Sequence, residues 1–423
     1  MVDRVDVAVI GAGPYGLSLA VHLKAAGVEH RVFGYPMESW RSGMPPGMLL
    51  KSHAWSSNLS DPDRSFTLGR FCAQRGLPYH DSDIPVPLET FIAYGEAFQR
   101  RHAPNCEPRT LVRLERRAAG FLALFDDGAE VQARRVALAI GVHPFKHLPD
   151  ALLGLPPSLA SHSGDHGPLD RFSGLSVVVL GSGASATDLA ALLADCGAET
   201  TLAARAEALR FAKARSAPVS LARRIARPVH RVLYPVSGIG AGLTLKLYAD
   251  APGLFHALPQ RRRHSIVETT LGPLGAAQVR ERVLGRMPIL LGRTLEAAHD
   301  TGRGRLRLTF RRGDGCREIV SVDHVIAATG YQVDLARMTF LDPQLARAIR
   351  TENARPALSL DYETSVPGLH IVGPAAAYSF GPVSRFVFGA VHPARAVTRA
   401  IVAGRANAPA RDVNAREARA VAR

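Results

Sequence analysis

One pattern occurs twice in this chain, and it limits the possible folds more than any other feature. Val7-Ala-Val-Ile-Gly11-Ala-Gly13-Pro-Tyr-Gly16 and Val177-Val-Val-Leu-Gly181-Ser-Gly183-Ala-Ser-Ala186 each run from an apolar stretch into small residues. Helix-like spacing follows, through Leu17, Leu19, Ala20 and Leu23 to Gly27, and through Leu189, Leu192 and Leu193 to Gly197. The first glycine and the terminating glycine are 16 positions apart in both copies. A second apolar strand comes next, His30 to Phe33 and Thr200 to Ala203. Strand, glycine turn, helix and strand form the βαβ unit that binds dinucleotides. The first glycine makes the tight turn, and the second lets backbone N–H groups reach a pyrophosphate. The third, or an alanine, lets helix and strand pack closely, while the helix N-terminus faces the phosphates.

The repeat extends further. Phe121 to Phe125, Asp126-Asp-Gly128 and Val131 to Gly141 predict a hairpin feeding a strand that ends at Ala139-Ile-Gly141. Leu306 to Phe310, Gly313-Asp-Gly315 and Ile319 to Gly330 predict the same, ending at Ala328-Thr-Gly330, because Asp-Gly between alternating apolar runs is a hairpin signal. Glycine at the close of each returning strand lets backbone lie against a bound nucleotide. A third glycine-ended strand is expected at Val366 to Gly373, then a helix over Val383 to Val402 opened by Gly381-Pro382. The expected class is α/β, with two nested Rossmann-like dinucleotide-binding domains and a helical insert. The length of 423 residues suits two domains.

An acid at the end of the second strand ordinarily holds the ribose 2′-hydroxyl. That place is Gly34 in the first copy and Ala204 in the second, and Arg205 follows Ala204. A cation there suits a 2′-phosphate, so the second site is expected to take NADPH rather than NADH. In the first copy Glu38 is the nearest acid for a ribose.

Hydrophobic residues make up 47% and charged residues 21%, the profile of a globular protein. No apolar run reaches the roughly 20 residues needed to span a bilayer. The N-terminus carries Asp3 and Asp6 instead of a basic signal-peptide start, so a cytoplasmic protein is expected. Cys72, Cys106, Cys196 and Cys316 form no C-x-x-C pair, which speaks against dithiol electron transfer and against a metal site. The formal charge of +15 is concentrated between Arg205 and Arg263, where twelve Lys or Arg face Glu207 and Asp250. Arg223, Arg224, Arg227, Arg231 and Arg261 to Arg263 make this segment a candidate contact for an acidic partner or a peripheral membrane surface. The alternative is a solvated basic face, and a nucleic-acid partner is not expected. Leu221, Ile225, Val229, Val232 and Leu233 give it a partly helical stripe, broken by Pro228.

These residues resemble the class B flavin monooxygenases, a family that includes flavin-containing monooxygenases, Baeyer–Villiger enzymes and lysine and ornithine N-hydroxylases. The resemblance spans roughly Val5 to Val402. It rests on Gly11 to Gly16, Trp40, Asn58 in Ser57-Asn-Leu-Ser-Asp61, His162-Ser163, Gly181 to Ala186, Ala328-Thr-Gly330, and Pro367-Gly368 through Gly373. Met44-Pro-Pro-Gly-Met-Leu-Leu50 with Trp40 looks most like the N-hydroxylase branch. The departures are Pro156 and Ser158 at the Phe and Gly places of the F-x-G-x-x-x-H fingerprint, the missing ribose acid, and Ala-Ile-Gly in the first exit triplet.

The resemblance implies FAD at the first site and NADPH at the second, with molecular oxygen as co-substrate. A flavin C4a-hydroperoxide would oxygenate a nucleophilic N or S, or a ketone, of a small-molecule or carrier-tethered substrate. It implies FAD contacts at Gly11, Gly13, Pro14, Tyr15, Gly16, Glu38, Trp40, Gly141, Gly330 and Gly373. NADPH contacts are implied at Gly181, Ser182, Gly183, Ser185, Ala186 and Arg205, and Asn58 is the candidate catalytic residue, beside its reading as a turn cap. Residues 1–155 and 323–404 are expected to form the FAD-binding domain. Residues 156–322 are expected to form the NADPH-binding domain with its basic helical insert 206–263, and 405–423 a basic tail. Two alternatives stay open, a reductase passing electrons from NADPH to a partner and a catalytically silent nucleotide-binding protein.

Overall fold

Strand β1 (Asp3–Ile10) forms the centre of the first unit because Val7, Ala8 and Val9 are wholly buried, as parallel strands covered on both faces require. The computed structural model describes residues 3–82, 84–212, 234–272 and 274–406. After β1 come α1 (Pro14–Ala25), β2 (His30–Phe33), α2 (Leu88–His102), β3 (Cys106–Glu107), β4 (Leu111–Arg117), β5 (Gly120–Phe125) and β6 (Glu130–Leu138). The sheet order is β3-β2-β1-β6-β5-β4. Both β2 and β6 run parallel to β1, with Ile10 opposite Phe33 on one side and Leu138 on the other. Helix α1 is buried along nearly its whole length, including Leu17, Leu19 and Leu23, so packing rather than amphipathic periodicity holds it.

The second unit repeats this plan. Strands β7 (Ala160–His162), β8 (Ser176–Leu180), β9 (Glu199–Ala203) and β10 (Ile289–Leu290) precede an antiparallel layer of β11 (Arg293–Asp300), β12 (Leu306–Arg312) and β13 (Arg317–Val322). Strand β14 (His324–Ala327) then returns to give a parallel sheet β10-β9-β8-β14-β7, with α3 (Ala184–Asp195) joining β8 to β9. Strand β15 (Leu369–Ile371) goes back to the first sheet, where Leu369 lies opposite Val136.

Two expectations need correction here. In the first copy one nine-residue strand, β6, pairs with β5 and with β1. In the second copy the strand expected over Ile319 to Gly330 is broken at Asp323, whose carboxylate accepts hydrogen bonds from the Ser176 N–H (2.8 Å) and hydroxyl (2.7 Å). Strand β14 pairs with β8, Val325 opposite Val178, so the residues just past Asp323 join the sheet of the second unit. The helix expected over Val383 to Val402 is also divided. Two 3₁₀ turns, Pro382–Arg385 and Val387–Ala390, precede α4 (Val391–Ala406), and Phe386 between them is extended (φ −119°, ψ 151°). The Tyr15 hydroxyl lies 2.9 Å from the Ser384 carbonyl and 2.8 Å from that of Phe386, and so satisfies carbonyls that a continuous helix would bond to its own N–H groups.

The insert interrupts the second unit in sequence but packs on the first. Its described part has a hairpin over Val236–Ala241 and helices at Leu243–Asp250, Pro252–His256 and Gln260–Thr269. The Phe388 ring covers Gly238 so closely that a Cβ there would lie 2.1 Å from it, and Phe255 covers Gly381 in the same way at 3.0 Å. Arg263 reaches Glu352 (2.7 Å), and the His392 ring nitrogen donates to the Ala249 carbonyl (2.8 Å). The stripe Leu221 to Leu233 and the cations Arg223, Arg224, Arg227 and Arg231 lie outside the described residues, as does most of the basic tail. Among the described residues no helix is long and apolar enough to cross a membrane.

A hydrogen-bond chain with a defined direction is buried at the β7 edge. The Ser158 carbonyl can only accept, so His324 Nδ1 carries a proton (2.8 Å) and its Nε2 accepts from the Ser161 hydroxyl (2.7 Å). His166 Nε2 then donates to Ser161 (2.8 Å), while its Nδ1 accepts from Arg171 (3.0 Å). Burial and then Arg171 push His166 down to about 4. Below a pH of about 6.5 the unfolded chain takes up a proton that the folded one refuses, so this contribution is complete above that pH and fades as pH falls toward the folded value. His166→Asn should therefore lose less stability than wild type, by about 2 kcal/mol, between pH 7.5 and 5. Urea midpoints at the two pH values check this, and equal losses would refute it.

Candidate functional site

Each glycine turn sits where backbone meets backbone. Gly11 has φ +111°, and a Cβ there would lie 2.3 Å from the Ala139 carbonyl oxygen, while one on Gly16 would lie 1.8 Å from the Gly11 carbonyl oxygen. Gly181 repeats this at φ +145°, 2.4 Å from the Ala328 carbonyl oxygen, and Ala186 packs against it at 3.1 Å. Gly13 is different, because nothing lies within 4 Å of its Cβ position. Neither α1 nor α3 has a side-chain cap or an acid in its first turn; Gly13 and Gly183 are the N-cap residues and Pro14 opens α1. Both helix N-termini are thus left to an anionic group from outside the chain, and open space beside Gly13 leaves room for one. The residues present fit two dinucleotide pyrophosphates.

The other expected FAD contacts divide. Gly141 (φ +66°) closes the exit of β6 with the Ser39 hydroxyl as its nearest neighbour, 3.8 Å from a Cβ. Glu38 is exposed at the start of the short helix Glu38–Arg41, just after left-handed Met37 (φ 56°). A side chain at Gly34 would press within 3.1 Å of the Ala12 nitrogen, which explains the missing acid. Trp40 packs edge-on against Phe91 at 4.7 Å in the core. Tyr15 braces the 383–386 segment through its hydroxyl, and Gly373 (φ +81°) makes room for its ring, 3.4 Å from a Cβ. Gly330 comes three residues after β14, with nothing within 4 Å of its Cβ position. Asn58 is largely occupied as a brace: Nδ2 donates to the Trp55 carbonyl (2.7 Å) and Oδ1 accepts from the Leu68 N–H (2.7 Å). One amide hydrogen remains.

At the second turn Ser182 and Gly183 are partly exposed, Ser185 is exposed and Ala186 is buried. Arg205 is exposed just past β9. Burial and then Arg337 lower His147, with Asp150 opposing them and Arg205 adding a smaller push in the same direction. The joint between the units was not visible as a site. His162 is wholly buried; its Nε2 donates to the Gly330 carbonyl (2.9 Å) and its Nδ1 accepts from the Gly164 N–H (3.0 Å). The His147 N–H donates to the same Gly330 carbonyl (3.0 Å). Lys146 pairs with Asp165 and lies 3.2 Å from His143 Nε2. Burial alone would raise Asp165, but Lys146 and the His162 N–H hold it below its ordinary value. The sequence signals for this cluster were the basic run His143-Pro-Phe-Lys-His147, two positions after Gly141, and His162 of the family resemblance.

Comparison with known proteins supports this geometry. Residues 5–226 match the family of pyridine nucleotide-disulphide oxidoreductases. An indole-3-pyruvate monooxygenase of Oryza sativa subsp. japonica is 26% identical over 209 residues, 47% of this chain and 47% of that protein, so the match spans about half of that relative. The ornithine N-hydroxylase of Kutzneria sp. 744, in a structure with FAD and NADP, has TM-score 0.73 at 15% identity over 94% of this chain and 99% of that one. The reduced ornithine hydroxylase of Pseudomonas aeruginosa has TM-score 0.72 at 17% identity over 95% and 99%. A bacillithiol disulfide reductase of Staphylococcus aureus has TM-score 0.63 at 14% identity over 95% and 99%. The fold is that of FAD- and NADP-binding flavin enzymes.

Two of the three glycines in the first turn, Gly13 and Gly16, should behave differently. In flavin-free protein Gly16→Ala should destabilise by about 3 kcal/mol, because backbone meets the new methyl. Gly13→Val should leave the thermal midpoint nearly unchanged yet purify without yellow colour. A yellow Gly13→Val protein would refute the cradle.

Proposed function

The chain belongs to the pyridine nucleotide-disulphide oxidoreductase family, and within it we propose an FAD-dependent, NADPH-consuming monooxygenase that oxygenates a nucleophilic N or S, or a ketone, of a small molecule. The observation that carries the reading is the pair of uncapped helix N-termini at glycine turns in one chain, without a C-x-x-C pair that could carry flavin electrons onward as a dithiol. All four cysteines are free. The relatives named as monooxygenases and N-hydroxylases support the oxygenase choice.

A bound flavin would supply the redox chemistry between NADPH and dioxygen. The chain's own residues do the rest. The N–H groups at the N-terminus of α1 hold one pyrophosphate, and those of α3 hold the other. Ser182, Ser185 and Arg205 face the second nucleotide, with Arg205 taking the 2′-phosphate beside Arg337. Glu38, exposed after β2, takes the ribose role that Gly34 leaves vacant. Asn58 presents its remaining amide hydrogen, and Trp55 with Phe388 (5.8 Å, edge-on) forms an apolar wall beneath the insert that excludes water. Residues 1–155 with the chain after β14 form the FAD-binding domain in this reading, and the intervening segment forms the NADPH-binding domain. The division is supported by the two separate sheets, one mixed and one parallel.

The test is to reduce the flavin with NADPH under nitrogen and then admit oxygen. A transient near-ultraviolet absorbance before reoxidation, with an oxygenated amine or thioether as product, is expected. Immediate reoxidation together with rapid turnover of a disulfide would favour a reductase like the Staphylococcus aureus protein. Arg205→Ala should weaken NADP⁺ binding about tenfold, about 1.4 kcal/mol, and leave NAD⁺ unchanged. Equal loss for both nucleotides in a titration would remove Arg205 from the phosphate site.

A further inference from the structure

A loop of the first unit reaches across to the nucleotide helix of the second. Residues 44–51 are tied to their own unit by the Gly47 N–H donating to Glu89 of α2 (2.8 Å), Leu50 N–H to the Val86 carbonyl (2.8 Å) and Leu88 N–H to the Met48 carbonyl (2.9 Å). From there the loop lies along one face of α3. Gly47 (φ +84°) approaches Leu192, whose Cδ2 is 3.4 Å from a Cβ there, and one turn earlier Lys51 Nζ is 3.0 Å from Asp188 Oδ2. The Asp188 side chain is 6% exposed, that of Lys51 34%. Asp188 Oδ1 has no hydrogen-bond partner among the described residues. Burial pushes the Asp188 carboxyl up and Lys51 down, each opposed by the other's charge.

A carboxylate buried with one oxygen unsatisfied is a poor way to add stability, since desolvation offsets most of the attraction. The pair does determine where α3 stands relative to the first unit. We propose that Lys51 and Asp188 form a positioning strut that sets the separation of the two glycine cradles. NADPH held at Gly181 can then give up its hydride, becoming NADP⁺, to flavin held at Gly11. This rests on the two-nucleotide reading above. Neither residue touches the reacting atoms; they act through α3 and the 44–51 loop. Hydride transfer is steeply sensitive to such placement, because a misfit of about 1 Å can cost up to a hundredfold.

The test uses FAD-loaded protein with Lys51→Met, Asp188→Asn, the double variant and Lys51→Arg, and follows three readouts. These are NADP⁺ affinity, thermal midpoint with FAD bound, and the anaerobic rate of flavin bleaching at saturating NADPH. Each single variant should bleach about tenfold more slowly while NADP⁺ affinity changes less than about threefold. The double variant should be no slower than either single one, and Lys51→Arg should recover most of the rate. Wild-type rates in Lys51→Met with NADP⁺ still bound would overturn the strut. So would a slowing that merely tracks lost FAD or lost affinity. Wild-type protein that neither binds NADP⁺ nor bleaches would sink the underlying reading instead, a distinct result.

Discussion

The close approach of backbone to backbone at two glycine turns is the constraint on which this structure depends. Gly11 lies against the Ala139 carbonyl and Gly181 against the Ala328 carbonyl, each too tightly for any side chain. Those contacts bring the C-terminal ends of β6 and β14 alongside the N-termini of α1 and α3. Among the described residues, neither helix end has a side-chain cap or an acid in its first turn. Unpaired N–H groups and the positive end of a helix dipole are therefore gathered at two places where an anion can reach them.

Around these cradles the two units are tied together by contacts that cross the sequence division. The insert leaves the second unit after β9 and settles on the first, through Phe388 over Gly238, Phe255 over Gly381 and Arg263 with Glu352. The 44–51 loop makes the reverse crossing to α3 through Lys51 and Asp188. At the joint, His162 and the His147 N–H share the carbonyl of Gly330. Buried polar groups of this kind contribute modestly to net stability, and their geometric effect is larger: each admits few alternative arrangements. The relative placement of the two sites is thus held at several points, by apolar packing under the insert and by polar contacts at α3 and at the joint.

Much of the second unit's polar core has little to do with a nucleotide. The Arg171–His166–Ser161–His324 chain lies at the β7 edge and satisfies its own donors and acceptors in one direction. Tyr15 is a comparable case inside a binding motif, since its hydroxyl holds the 383–386 segment. Position within a motif therefore does not by itself give a side chain's task.

The residues alone determined the glycine turns, the helices and strands flanking them and the Asp-Gly hairpins, because each depends on φ, on a missing Cβ or on local apolar spacing. Only the tertiary structure decided the rest. It placed the Gly330 carbonyl at the joint with His147 and His162, packed Trp40 on Phe91, used both ends of the Asn58 amide, and replaced a single C-terminal helix by two 3₁₀ turns before α4. Most of these outcomes hang on partners far away in the chain, whereas the partners of Asn58 lie 3 and 10 residues off. Asp188 with Lys51 and Tyr15 with Ser384 meet only once the sheets have formed, and no local propensity encodes a contact whose other half lies more than a hundred residues away.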